Sequence, residues 1–272
     1  MNREHMDLVP ASEWSFLSLS TLFARSFEGY FVSVPDAPQA FDARVRSEHI
    51  SLTESRVARV SGEAVGLVLM ARRGNISRVA GMGIVPSRRG QGLGGDMLRP
   101  LLESARARGD ARMVLEVIEQ NAPAVKLYER LGFRRVRRLV GFTGTPTPEP
   151  GALEEVDPRD CAKLLPADLP WQLDAATVMG LSSPAKAFRL GPAFAVVADV
   201  SAPTLGLRSL GVEPSARGRG AGRRLLRALA AAHPGKPLAV SAIVPEGLCD
   251  RFFLGEGFTS PALSQLELAH TF

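Results

Sequence analysis

The spacing of apolar residues changes period several times along the chain. From Ser12, "SEWSFLSLSTLFARSF" places apolar residues at helical intervals and predicts a helix capped by Ser12. "DAPQAFDARVRSEHI" predicts a second helix, with Asp36 as its cap. Three β-rich runs follow, "SRVARV" (55–60), "AVGLVLMAR" (64–72) and "SRVAGMGIV" (77–85), separated by Ser-Gly and Gly-Asn turns. An Arg/Gly-rich turn then opens a helix running to about Arg108, in which Pro100 is expected to force a kink. A strand "RMVLEVI" (112–118), a helix "APAVKLYERLG" (122–132) and a closing strand "FRRVRRLVGFT" complete this half.

The layout then recurs. "SRRGQGLGGDML" (87–98) and "SARGRGAGRRLL" (215–226) agree at six of twelve positions, at an offset of 128. Upstream, "MGIVP" (82–86) meets "LGVEP" (210–214), and downstream "LYERLGF" (127–133) meets "FFLGEGF" (252–258). The second half predicts a strand "LEEV", helices near 157–165 and 173–181, and strands "KAFRL", "AFAVVADV" and "TLGLRSLGV". A helix from Gly220 to about Ala232, a strand "PLAVSAIV" (237–244), a helix over 246–256 and a last strand "LSQLELAH" follow. "TGTPTPEPG" (143–151) is Pro-rich and poor in core residues, as a linker is. The expected organisation is two α/β domains with mixed sheets, 1–143 and 152–272, joined by 144–151.

Composition narrows the class. With 272 residues, 45% hydrophobic and 22% charged, the chain suits two ordinary globular domains. No run of 18 uncharged apolar residues occurs and the first residues hold no apolar signal core, so no membrane association and a cytoplasmic setting are expected. Net charge is +5, and of 33 basic residues only four are lysines (126, 163, 186, 236). The arginines are spread along the chain and only two Trp and two Tyr are available for stacking, which gives little support to nucleic-acid binding. Cys161 and Cys249 stand apart without metal or redox spacing. The four histidines (5, 49, 233, 270) show no metal spacing either, and Met6, Met70, Met82 and Met97 read as packing. No metal site is expected.

The chemistry concentrates in the turn. In Arg89-Gly90-Gln91-Gly92-Leu93-Gly94-Gly95, small residues after an apolar strand let several backbone N–H groups converge, and the helix N-terminus behind them adds partial positive charge. Glycine permits close approach of a ligand and positive φ. Arg88 or Arg89 can add a charge-assisted contact. The sequence is neither a Walker loop nor a G-x-G-x-x-G fingerprint. A turn that only caps its helix has the same composition.

Arg89-x-x-Gly92-x-Gly94, preceded by "MGIVP" and followed by "NAPAVKLYERLGF", resembles the Gcn5-related N-acetyltransferase (GNAT) family, and the element order of the first half follows it. Arg217-x-x-Gly220-x-Gly222 resembles the family more weakly, so the chain looks like two tandem acyl-CoA N-acyltransferase domains. The resemblance implies acetyl-CoA as co-substrate. Its pyrophosphate would lie on the amides of Gln91 to Gly95 near Arg89 and Gly90, and its pantetheine arm along Met82, Gly83 and Ile84, where two strands splay. Asn121 matches a cofactor-contacting position. Tyr128 matches the tyrosine that protonates the leaving thiolate, a role that suits a phenol neutral at pH 7. Glu116, twelve residues before Tyr128, matches a general base of the ribosomal-protein acetyltransferase branch. Glu119 is an alternative, and close positioning alone could suffice. An amine acceptor, on a small molecule or a peptide terminus, would enter past residues 24–41, where Glu28, Tyr30, Phe31 and Asp36 could frame it.

In the second copy Arg217, Gly218, Arg219, Gly220 and Gly222 could still hold a phosphate. No Asn matches Asn121, however, and Phe253 faces Tyr128. The first copy is therefore the expected catalytic one. A non-catalytic protein that binds or senses acyl-CoA at both turns is the alternative.

Overall fold

The computed structural model describes residues 5–272. In chain order its elements are β1 (Met6–Pro10), α1 (Phe16–Ser26), α2 (Pro38–Ser47), β2 (Ile50–Val60), β3 (Glu63–Arg73), β4 (Ile76–Ile84), α3 (Leu93–Ala107), β5 (Arg112–Ile118), α4 (Ala122–Arg130) and β6 (Arg134–Gly144). There follow β7 (Glu154–Val156), α5 (Pro158–Ala162), α6 (Ala175–Met179), β8 (Lys186–Leu190), β9 (Ala193–Val197), β10 (Leu205–Val212), α7 (Ala221–Ala232), β11 (Leu238–Pro245), α8 (Asp250–Leu254) and β12 (Gln265–Thr271). Among the described residues no helix is long and apolar enough to cross a membrane.

The contacts divide the chain into two compact units, Met1–Val136 with Glu267–Phe272, and Arg137–Leu266. In the first unit the strand order is β1-β2-β3-β4-β5-β12. β1 to β4 pair antiparallel in sequence, and β5 returns parallel to β4 through α3. In the second the order is β7-β8-β9-β10-β11-β6, with β7 to β10 antiparallel and β11 parallel to β10 through α7. The repeat legible in the sequence is therefore a repeat of topology: a meander, then a crossover helix.

The closing strands depart from the expected boundaries 1–143, 144–151 and 152–272. β6 follows α4 in sequence but pairs with β11 in the second unit, from Leu139↔Pro245 to Gly144↔Leu238. Phe142 there stacks on Phe253, ring centroids 4.7 Å apart. β12, the last strand in sequence, lies beside β5 in the first unit. Its His270 packs on Phe133 at 5.6 Å. Each unit is thus closed by a strand from the other half of the sequence. The presumed linker is also held: Glu149 N–H donates to the Arg227 carbonyl on α7, and Gly151 sits where a β-carbon would meet Ala228 at 3.0 Å.

The predicted caps shift too. Ser15, not Ser12, caps α1 by accepting from the Ser18 N–H. Asp36 does not cap α2. Its carboxylate accepts from the Ser20 and Thr21 hydroxyls, each at 2.7 Å, and so ties the α1–α2 connection back to α1.

Candidate functional site

The site begins where β4 leaves β5. The two strands pair from Ile76↔Arg112 to Val79↔Leu115 and no further, although β4 runs to Ile84 and β5 to Ile118. Ala80 is an extra residue in the pairing with β3: Val79 faces Met70 and Gly81 faces Leu69, with nothing opposite Ala80. Such a bulge bends and twists a strand. Met82, Gly83 and Ile84 stay paired to β3 on one side while their other edge borders the opening.

A buried chain of charges holds this bend. The Arg44 guanidinium donates to the Ala80 carbonyl, and its Nε to Glu48 Oε1 at 3.1 Å. Arg78 Nη1 donates to Glu48 Oε2 at 2.6 Å, and Arg78 Nη2 and Nε donate to Glu116 Oε2 at 2.7 and 2.9 Å. The Arg78 side chain is 1% exposed and those of Glu48 and Glu116 are 3% and 5% exposed. Burial by itself would lower the Arg78 pKa, but the charges of Glu116 and Glu48 and their hydrogen bonds push it up, so the guanidinium stays charged. Glu116, the first candidate base, is thereby committed to an ion pair. Its Oε2 accepts from both Arg78 Nε and Nη2, which makes it a counter-ion by geometry. Arg44, Glu48 and Arg78 went unmarked in the sequence; the available signal was an arginine inside an otherwise apolar strand.

Below the bend lies the first Arg/Gly turn. Gly90 (φ 76°) and Gly92 (φ 84°) adopt left-handed backbone, and Gly92 stands at the N-cap of α3 with no side chain over the helix end. Arg89 does not project freely: Nε donates to the Ile84 carbonyl (2.9 Å), and Nη2 to those of Glu28 (2.7 Å) and Ser26 (3.2 Å). It fastens the turn to the end of β4 and the end of α1. Gly94 serves packing, since a β-carbon there would lie 2.9 Å from Leu127 on α4. On the outer side of the turn Arg88, Gly90, Gln91 and Leu93 border a recess of about 1320 Å³ that also takes in Arg56.

The α1–α2 connection and α4 close the other side. Asn121 caps α4 through Oδ1, which accepts from the Ala124 N–H (3.3 Å), and its side chain is also hydrogen-bonded to the Tyr30 phenol. Tyr30 is half-buried; burial raises its pKa and the Asn121 bond partly offsets that. Tyr128, 6% exposed, has a pKa driven far above that of a free phenol, first by burial and then by the neighbouring Tyr30. Phe27 packs edge-on against Tyr30 at 5.1 Å, and its ring lies where a β-carbon on Gly83 would meet it at 2.9 Å. Tyr30, Asn121 and Tyr128, expected on different sides of the reaction, thus form one cluster beside the opening. Phe31 is exposed, Asp36 is turned to α1, and Glu28 contributes only its carbonyl to Arg89.

The second unit repeats the frame with other contents. Arg217 Nε donates to the Val212 carbonyl at 3.1 Å, as Arg89 does to Ile84. Gly218 (φ 74°) and Gly220 (φ 77°) are left-handed, and Gly222 approaches Phe252 as Gly94 approaches Leu127. Arg219 is exposed, its carbonyl accepting from Arg224. β10 and β11 pair only at Leu205↔Leu238 and Gly206↔Ala239, then part around a cavity of about 590 Å³. Phe253, where the first unit has Tyr128, is buried between Phe142 and Phe258. Among the described residues no group of three or more His, Cys, Asp or Glu could hold a metal ion.

Comparison with known proteins bears on this geometry. Residues 16–133 match the model of the acetyltransferase (GNAT) family. Over 60 residues, 22% of this chain, the sequence is 43% identical to a mycothiol acetyltransferase of Streptosporangium roseum, a match that spans only 18% of that relative's length. The fold is similar to a GCN5-related N-acetyltransferase from Sphaerobacter thermophilus, with a TM-score of 0.67, 16% identity, and coverage of 100% of this chain and 96% of that one. It is also similar to a tandem GNAT protein from the clavulanic acid biosynthesis pathway (TM-score 0.64, 14% identity, 98% of both chains). At these identities the likeness is one of fold.

Proposed function

The chain belongs to the acetyltransferase (GNAT) family through residues 16–133, and from that premise we propose an N-acetyltransferase that takes acetyl from acetyl-CoA to a primary amine, of a small molecule or a peptide N-terminus, in its first unit. The observation that carries this reading is the cluster of Tyr128, Asn121 and Tyr30 beside the opening between β4 and β5. The edge of Met82 to Ile84 offers main-chain partners to the pantetheine arm. The turn from Gly90 to Gly94 offers amides and a helix N-terminus to the pyrophosphate, the Gly95 N–H being taken by the Gly92 carbonyl. Arg89 shapes that turn from behind.

The amine nitrogen attacks the thioester carbonyl, the carbon–sulfur bond breaks, and the departing thiolate takes the Tyr128 proton. The proton shed by the amine restores the phenol through water. A phenol is neutral across the physiological range and so has a proton to give as the thiolate leaves. Glu116 supports the reaction as a positioning residue, through Arg78 and the bend at Ala80, rather than as the base. Tyr30, bonded to Asn121, borders the acceptor side.

The test is thiol release from acetyl-CoA across a panel of amines. Tyr128→Phe should lower kcat on the order of a hundredfold or more, with KM for acetyl-CoA little changed. An unchanged rate, or a parent protein with no amine-dependent release, would overturn the assignment in favour of acyl-CoA binding without turnover, which Phe253 already favours for the second unit.

A further inference from the structure

The cavity of the second unit is more apolar than acetyl transfer requires. Its wall contains no Asp, Glu, His, Tyr or Lys. Nothing in it could hold or deprotonate an ammonium group, so an amine acceptor is not its occupant. Its deep part is formed by Leu207, Val240, Val244 and Phe253, and Leu165 and Leu173 close it from the segment that contains α5 and α6. Its basic side chains are Arg208, Arg217 and Arg223, the last paired to Glu256, and its glycines are those of the second turn. Arg217 is taken up by the Val212 carbonyl, so the glycine main chain and the uncapped N-terminus of α7 meet an anion at one end, and a leucine- and valine-lined chamber lies at the other, a pairing that fits an amphipathic anion.

We infer that this cavity binds an acyl-coenzyme A whose acyl group is an apolar chain longer than acetyl, and holds it without turnover. The inference rests on the reading of the chain as an acyl-CoA-using protein. It adds a second ligand class to a unit that the proposed chemistry leaves idle. About 590 Å³ lies within the usual size range of a small-molecule site; the pantetheine arm along Leu210 to Val212 takes part of it, and Leu164, Leu165, Leu169 and Leu173 from the α5–α6 segment wall a remainder that acetyl is too short to fill. Phe253 has no proton to give a leaving thiolate, so the thioester persists. The order of the repeat is consistent with this: the same turn, strand edge and crossover helix recur, with the phenol lost and the apolar lining gained.

Cys249 makes the site addressable, because it lines this cavity and is half-buried, whereas Cys161 lies outside it and is 1% exposed. The full-length chain is titrated calorimetrically with CoA, acetyl-, butyryl-, hexanoyl- and octanoyl-CoA. In parallel, iodoacetamide labelling of Cys249 is followed by peptide mass spectrometry. Affinity at one site should rise about fourfold per added methylene until the chamber is full, and hexanoyl-CoA should protect Cys249 at concentrations where acetyl-CoA does not. Leu173→Trp should abolish the chain-length dependence while CoA itself still binds. Equal affinities across the series, or an unprotected Cys249 at saturation, overturns the inference with no folding variant needed. Free hexanoate protecting as well as hexanoyl-CoA overturns the coenzyme part of it. Both outcomes are independent of the Tyr128→Phe assay, which reports on the first unit alone.

Discussion

Arg78 and Glu116 meet inside the first unit as a two-point ion pair, Nη2 and Nε both within 2.9 Å of Oε2, where almost no solvent reaches either. The pair lies where β4 bulges, one residue before the strands part, and Glu48 completes the neutralisation. A carboxylate so placed is first of all a counter-ion. Glu116→Ala would leave the Arg78 and Arg44 guanidinium groups to share Glu48 alone, one positive charge in excess, at a cost of about 3–5 kcal/mol. Urea denaturation followed by circular dichroism should show that loss. A general base in the same position would instead give a large fall in kcat with stability preserved, and that pattern would refute the ion-pair role.

The closing strands carry a second expectation. β12 belongs to the first unit although it comes last in sequence. Removing residues 267–272 should therefore weaken the first unit, not the second: it uncovers the edge of β5 and takes His270 away from Phe133. Hydrogen exchange resolved by peptide would show faster exchange in β5 and α4, with α7 and β9 protected as before. Faster exchange spread evenly over both units would contradict the division.

Much of this was legible in the chain, and the exceptions share a cause. "RMVLEVI" and "KAFRL" coincide residue for residue with β5 and β8, because a short apolar or β-branched run bounded by turn residues defines a strand locally. The left-handed glycines of both turns were equally local. β1 escaped notice: it has five residues, ends in proline, and lacks an alternating burial pattern. β6 and β12 were recognisable as strands but not as members of the opposite unit, since pairing over about a hundred residues or more leaves no local mark. Arg78 was opaque for the same reason, because what makes its burial tolerable are Glu48 and Glu116 on other elements. In the candidate site, Asn121 and Tyr128 were marked in the sequence. Their junction with Tyr30 depends on how the α1–α2 connection folds back.

Cys161 predicts the alkaline limit of stability. Burial first, and then the charge of Asp160, push its thiol up to about 11 from an ordinary value near 9. Below pH 9 the folded and unfolded chains both hold the proton, so the full contribution is present. Between 9 and 11 the unfolded chain loses the proton while the folded chain keeps it, and stability falls as pH rises. Chemical denaturation at pH 8, 9, 10 and 11 should show a decline over this window, shallower in Cys161→Ala. An identical slope in the variant would remove Cys161 as the cause.

Gly83 and Gly206 receive opposite forecasts for one substitution. Gly83 lies on the edge of β4 beneath the end of α1, and a β-carbon there would stand 2.8 Å from that of Ser26 and 2.9 Å from the Ser26 carbonyl oxygen. Part of the obstruction is main chain, so α1 must move, and Gly83→Ala should cost about 1–3 kcal/mol. The movement carries Phe27 with it, and through Phe27 the Tyr30 ring that is bonded to Asn121. The rate of CoA release should therefore fall along with stability. Gly206, on β10, has only the Ala198 β-carbon nearby at 3.6 Å, an ordinary contact. Gly206→Ala should be neutral or stabilising by up to about 1 kcal/mol, through the lowered entropy of the unfolded chain, with the release rate unaltered. Denaturation midpoints and initial rates of the two variants, measured side by side, decide the point: equal effects would mean that the end of α1 does not bear on the β4 edge.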